Sequence, residues 1–393
     1  MFPRPHLVAL QALLALFAVP SALAQVPLRT PERTSWLDPR IEPLVLVRSV
    51  FAYTLEDQPT VTDPSGKSFT LDSTKAPRSA FGHRRGFVLE DAEVGLRGRF
   101  NELGLYYQVA IESVPREKDG NRSDDYLEDA FFGWDAFTFL DLRAGRMKVP
   151  FGQANLQATA ERDLPYAPTL DVLVPKRQLG LRVSGGDPWG ASRLHVGVYN
   201  SVSGAQEELR FLEQLLYVTR LELRIHKIMQ AAGTKWLDFE CTLGGSFAWT
   251  EESFDPPTEH RWVGADLHLH LWRFTLRGEL VIKDFFRAEN ADGSKIADRG
   301  LGWSAELTTE LVEGLLDTTV RVEETDGDDR ALGFGASLSI DEAALQNKRW
   351  VTVGLGVTPW RFARISANWI YREELEGYSL DNDVFLLLTQ LAL

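Results

Sequence analysis

Arginines recur at alternate positions inside otherwise apolar segments of this chain. Arg97 and Arg99 lie two apart in GFVLEDAEVGLRGRF, and Arg220 and Arg224 lie four apart in YVTRLELR. Arg143, Arg182, Arg193, Arg273 and Arg277 each stand beside aliphatic or aromatic residues, as do Lys283, Arg321 and Arg364. Arg162, Lys176 and Arg177 fall in a stretch that shows no such alternation. A guanidinium is a planar fork of donors that holds two oxygens of one carboxylate or phosphate. Rows of such groups along a narrow wet passage would draw anions in and replace part of their hydration. The same parity also carries acids: Asp91, Glu93, Glu112, Asp129, Asp135, Asp238, Glu240, Asp266, Glu279, Glu306 and Glu323. Each cation therefore has two readings, a solute-facing charge or the cross-strand partner of an acid that stiffens the wall.

Other chemistries are thinly represented. Asp266, His268 and His270 share one strand face, but no further ligand stands at metal-site spacing. The acidic turn Asp326 to Asp329 lacks the twelve-residue calcium-loop pattern and reads as a hairpin tip. Cys241, the single cysteine, falls on the apolar parity as a small filler, so no internal disulfide and no Cys/His zinc pattern exists. No G-x-S-x-G element occurs, and His195, His268 and His270 are the strand histidines on the charged parity. Spacing yields no Ser-His-Asp group, so neither an enzyme nor a cofactor is expected.

The elements that must position the arginines are β-strands, because side chains alternate faces along a strand. In 87–100, Val88, Ala92, Val94, Leu96, Gly98 and Phe100 share one parity, and Asp91, Glu93, Arg97 and Arg99 the other. Leu103 to Ile111 repeats the pattern, and Ala130, Phe132, Trp134 and Ala136 oppose Asp129 and Asp135. Leu44 to Tyr53 reads as the first strand. Alternation resumes at Leu181 and runs to the last strand, Val384 to Leu393, with one strand expected over Ala331 to Ile340. Gln206 to Leu216 reads as a short amphipathic helix in a loop. Many segments reach ten residues, about what a tilted strand needs to cross a bilayer. Strands cross lipid only in a closed barrel, since every backbone polar group there needs an internal partner. Met147 to Leu179 lacks period-two alternation and is long for a connection, so it is expected to fold inward and narrow the lumen.

Bulk properties agree. With 56 acidic and 42 basic residues the net charge is -14, which argues against a nucleic-acid partner. Hydrophobic content is 44% with 22 Phe and 11 Trp, as suits a barrel with apolar residues at alternate positions and aromatic girdles. Arg4, an apolar run from Leu7 to Val19 and Ala22-Leu23-Ala24 make residues 1–24 a secretory signal peptide. Residues 25–43 read as a periplasmic lead-in, and 44–393 as one domain. No later run of about twenty apolar residues marks a helical span.

In order along the chain, RRGFVLEDAEVGLRGRF, YLEDAFFGWD, LDLRAGRMKVPFG, ERDLPYAPTL and PKRQLGLRVSG resemble the phosphate-selective porin O/P family. The matching positions are Arg84-Arg85, Asp129-Ala130-Phe131, Gly145 to Gly152, Glu161-Arg162 and Pro175 to Gly180, so the resemblance covers roughly 84–186. It implies a homotrimeric channel of sixteen strands with basic side chains inside. The combined expectation is an all-β, transmembrane antiparallel β-barrel of about sixteen strands with an inward-folded long loop. It would sit in outer-membrane lipid as a passive porin for small hydrophilic solutes, anions such as phosphate foremost. An unselective or cation-preferring channel is the alternative, ahead of a barrel enzyme or a secreted structural β-protein.

Overall fold

A computed structural model describes residues 40–54, 60–62, 68–70, 86–100, 103–112, 117–118, 121–122, 127–137, 139–187, 189–200, 215–231, 239–252, 258–288, 295–327, 348–374, 379–380 and 383–392. The expected signal peptide lies outside these residues. So do the strand expected over 331–340 and, except for its last two residues, the loop helix expected over 206–216.

Sixteen antiparallel strands form one closed barrel. They are β1 (Arg40–Thr54), β2 (Gly86–Phe100), β3 (Leu105–Glu112), β4 (Leu127–Phe137), β5 (Leu140–Lys148), β6 (Arg177–Gly186), β7 (Ser192–Asn200) and β8 (Leu215–Arg224). The second half is β9 (Phe239–Glu252), β10 (Thr258–Leu271), β11 (Phe274–Ala288), β12 (Lys295–Val312), β13 (Leu316–Gly327), β14 (Lys348–Trp360), β15 (Ala363–Glu374) and β16 (Val384–Ala392). Each strand pairs with its chain neighbours, and β1 closes the ring on β16, Leu46 facing Ala392. The first strand begins at Arg40, four residues inside the expected lead-in. One rim is made of short turns apart from the connection 225–238 after β8; the other carries most of the long connections, one of which pairs 60–62 with 68–70 and 379–380. The turn after β8 carries a short helix, Ile225–Ala231, that no sequence signal announced.

The outward rows are the aliphatic ones. Val94 and Leu96, Val109 and Ile111, Val263, Leu280, Leu307, Val353 and Leu355 are all exposed. In lipid, that exposure is the driving force for insertion. Aromatic residues gather at both rims: Trp272, Phe274, Trp360 and Phe362 by the short turns, Tyr53, Phe87 and Tyr371 at the other. Trp272 holds φ 55 in the two-residue turn between β10 and β11, a conformation rare for a bulky residue.

One expected row breaks. The register jumps between Arg48/Asp91 and Ser49/Leu89, so Glu90 is an extra residue in β2. Such a bulge reverses the parity on its far side. Phe87, 81% exposed, and Leu89 therefore face outward, on the opposite parity to the oily row through Val94 and Leu96. A second departure lies inside. Val50, Ala52, Trp350, Ile370, Val384, Leu386 and Leu388 form a buried apolar cluster on the inner wall of β1 and β14 to β16, packed by Tyr166. The inner face is thus not uniformly ionic.

Val353→Arg, in the middle of an outward apolar row, is expected to destabilise the barrel by about 2–4 kcal/mol, the cost of a cation at the bilayer midplane. Urea titration of the heat-modifiable folded band in vesicles measures this.

Candidate functional site

The connection between β5 and β6 enters the lumen. Its bounds are 149–176, shorter at each end than expected, because Met147, Lys148 and 177–179 pair in the wall. Its entry is apolar: Val149 and Phe151 are fully buried with Trp262 and Val281 of the barrel's inner face. Gly152 then turns the chain at φ 67, and a side chain there would strike the Glu279 carboxylate. Inward glycines of the wall act as sockets. A Cβ at Gly264 would lie 2.9 Å from the Phe151 ring, and one at Gly302 would lie 2.6 Å from Leu170. Burying a side chain of this size is worth about 1.5–3 kcal/mol.

The loop has little regular structure, only Gln153–Leu156 and two 3-10 turns, Thr159–Glu161 and Thr169–Val172. Its backbone groups therefore bond to the wall. Ser246 Oγ accepts the Gly152 N–H at 3.2 Å, Glu279 the Ala154 N–H at 2.8 Å and Glu323 the Thr169 N–H at 2.6 Å. Arg48 donates to the carbonyls of Leu164 and Pro165 at 3.3 and 2.6 Å, Arg321 to Tyr166 at 2.9 Å and Arg364 to Asp163 at 3.3 Å. Trp262 Nε1 donates to Leu173 at 2.8 Å and Gln390 to Ala160 at 2.8 Å. Asn155 ties the neck, donating to Val149 and Pro175 carbonyls at 3.0 and 3.2 Å.

The expected cations divide by fate. Arg277 holds the loop, its guanidinium 2.5 Å from Asp163 and 2.7 Å from Glu306. Arg220, 2% exposed, forks onto Asp266 at 2.5 and 2.9 Å and reaches Glu222 at 3.0 Å. Arg177 pairs with Glu128 and Asp129, and Lys176 with Asp171. Arg99 meets Asp135 at 2.5 Å; Arg143 and Arg193 share Asp141 at 3.1 and 3.4 Å. Arg97 is exposed near the short-turn rim, 2.6 Å from Glu42. Arg273 is not on the wall at all. It sits in the β10–β11 turn over the Trp272 ring at 5.2 Å and donates to the Leu311 carbonyl.

Arg224, Arg182 and Arg162 are, like Arg273, without an ion pair among the described residues. Arg224 reaches a cavity near the short-turn rim. Arg182 is buried directly across from Arg143 in the β5–β6 register, a like-charge placement that costs stability. Arg162 lies on the loop, half-buried. Burial pulls its guanidinium below the usual range and nearby Arg48 and Arg321 add to this, against Asp171 and Asp91. An arginine keeps its proton regardless, so the loop carries a fixed positive charge there. Asp171 lies on the same loop; burial alone would raise its carboxyl, but Lys176 beside it holds it below the carboxylate range.

Arg48 was absent from the sequence expectation. It is buried, pairs with Asp91 at 3.0 Å and anchors the loop. A lone charge on the inward parity of LVLVRSVFAY was the available signal. Ser184, His195 and Glu222 are brought together as well, Ser184 Oγ 2.8 Å from His195 Nδ1 and His195 Nε2 3.7 Å from Glu222. Ser184 is only 1% exposed, and the flanking backbone N–H groups belong to the strand ladder. The three make a buried network within the wall. Asp266 is occupied by Arg220 and His270 bonds Thr275, and no metal-binding group of three exists among the described residues.

Residues 70–211 match the model of the family "Phosphate-selective porin O and P". Among solved structures, the anion-selective porin from Comamonas acidovorans aligns with a TM-score of 0.56 at 12% identity, over 91% of this chain and 100% of that one. The outer membrane channel DcaP of Acinetobacter baumannii gives 0.58 at 11% identity, over 92% and 99%. A trimer form of OmpT, an outer membrane protein of Vibrio cholerae, gives 0.52 at 9%, over 90% and 99%. At such identities the likeness is one of fold. No curated protein sequence matches the chain. The chain folds as a porin-type barrel, sixteen strands closed around an inward loop, and its residues 70–211 match the model of the phosphate-selective porin O and P family.

Proposed function

We propose that this porin is a passive channel for small hydrophilic solutes that prefers anions, phosphate-like oxyanions among them, and that it conducts rather than catalyses. The carrying observation is Arg162. It is the loop cation without an ion pair among the described residues, with Arg48 and Arg321 as well as Asp171 and Asp91 acting on it, in the section the loop narrows. A passing anion supplies the missing compensation. Arg182 opposite Arg143 biases the wall the same way. The match to a phosphate-selective family and the fold shared with a porin described as anion-selective support the reading. Assembly as a homotrimer is supported by the trimer form of the structurally similar OmpT. Outer-membrane lipid is the partner of the exposed aliphatic rows.

Reversal potential in a planar bilayer under a KCl gradient should lie toward the chloride equilibrium potential; a potential toward that of potassium would overturn the preference. Arg162→Ala removes a unit charge worth about 1 kcal/mol at 4 Å in water, so the chloride-to-potassium permeability ratio should fall roughly fivefold. Arg97→Ala/Arg99→Ala removes cations already paired with Glu42 and Asp135 and should change the ratio much less. Gly302→Leu fills the socket under Leu170 and should raise single-channel conductance by lifting the loop from the wall.

A further inference from the structure

We propose that the mouth at the short-turn rim holds a binding site for aromatic carboxylates, distinct from the loop-narrowed section. A cavity of about 450 Å³ opens there, and no residue of the 149–176 loop lines it. That volume falls in the range of small-molecule sites. Its charges lean positive. Arg99 and Asp135 satisfy each other at 2.5 Å. Asp141 is a single carboxylate facing two guanidiniums, Arg143 and Arg193, and it also accepts the Tyr106 hydroxyl. Asp187 lines the cavity but closes its own turn: its oxygens accept the Trp189 N–H and both the N–H and hydroxyl of Ser192. Arg224 lines the cavity and has no ion pair among the described residues. One incoming carboxylate would complete this set.

The apolar part of the lining gives the ligand's second feature. Phe137 and Phe139 stack with centroids 5.5 Å apart and planes 30° apart, and both border the cavity. Tyr106 lies across Gly133, where any side chain would collide with the ring, and carries Arg143 over its face at 5.3 Å. A small hydrated anion gains nothing from these rings. An anion that is itself an aromatic ring gains stacking from them and a guanidinium fork for its carboxylate. The inference rests on an anion-passing lumen and adds the class of solute that dwells at its exit.

The test is single-channel recording in KCl with benzoate, acetate or phosphate added to either side in turn. Benzoate should block from one side only, at roughly tenfold lower concentration than acetate, the worth of one aromatic contact. Phe137→Ala/Phe139→Ala should erase that difference, and Arg224→Gln should weaken benzoate block several-fold. Heat-modifiable migration establishes that each variant is folded. Equal block by benzoate and acetate overturns the site. So does unchanged benzoate block in Arg224→Gln, which decides the matter even where the double variant gives no channels. A chloride-selective reversal potential without preferential benzoate block removes this site and leaves the proposed anion preference standing. Sided benzoate block in a potassium-selective channel does the reverse.

Discussion

A polypeptide segment that crosses a lumen without regular structure must find partners for its backbone, and here the wall supplies them. Unpaired N–H and C=O groups away from water cost about 1–3 kcal/mol each. The loop therefore takes carboxylates for its donors, Glu279 and Glu323, and guanidiniums for its acceptors, Arg48, Arg321 and Arg364. Charge-assisted bonds are about twice as strong as neutral ones. The charges on the inner face are first of all the fittings by which a 3-10-rich strap is held across a barrel. Apolar sockets at Gly264 and Gly302 fix its height and rotation.

That demand decides which charges remain for solutes. A lumen arginine that bonds a loop carbonyl or a neighbouring acid has spent its donors. Arg220 is the limiting case: buried, bidentate to Asp266, with Glu222 and Ser246 taking its other donors. Removing one member of such a pair costs about 3–5 kcal/mol because the other charge is stranded. It rigidifies the wall behind the loop. Selectivity then falls to the few cations left out of the pairing, among them Arg162 on the loop, Arg182 on the wall and Arg224 near the rim.

Much of the barrel was readable because lipid outside and water inside impose opposite demands on successive residues. Val94 and Leu96, Val263, Leu280 and Val353 all sit where parity places them. Parity failed where something other than the two solvents set the face. The extra Glu90 reversed it at Phe87 and Leu89, and a bulge leaves no mark in residue type. On β16 both rows are apolar, because Val384, Leu386 and Leu388 meet Tyr166 and not water. The inward course of the loop was legible from its length and missing alternation. Its partners were not, since they depend on which strand a given loop atom reaches. Arg48 could be found as an isolated charge; Arg273 could not be excluded, because turn and strand differ there by one residue of register.

The loop also makes the pore lopsided. Most of its hydrogen bonds to the wall run from β9 through β16 and on to β1, by way of Ser246, Trp262, Glu279, Glu323, Arg364, Gln390 and Arg48, with Lys148 of β5 tying Gln157 beside the loop's root. On the other side, β3 and β5 to β8 present Tyr106, Arg143, Arg193 and Arg224 to open space. Water fills what the strap leaves, so the field acting on a solute comes from that bare side and from the strap's own Arg162. A net charge of -14 for the whole chain says nothing about this path. Exposed surface acids are screened within about 8 Å at physiological salt, whereas a guanidinium at the edge of the water-filled gap acts on an ion at contact. Local pairing, not the sum of charges, sets the sign of the solute that dwells inside.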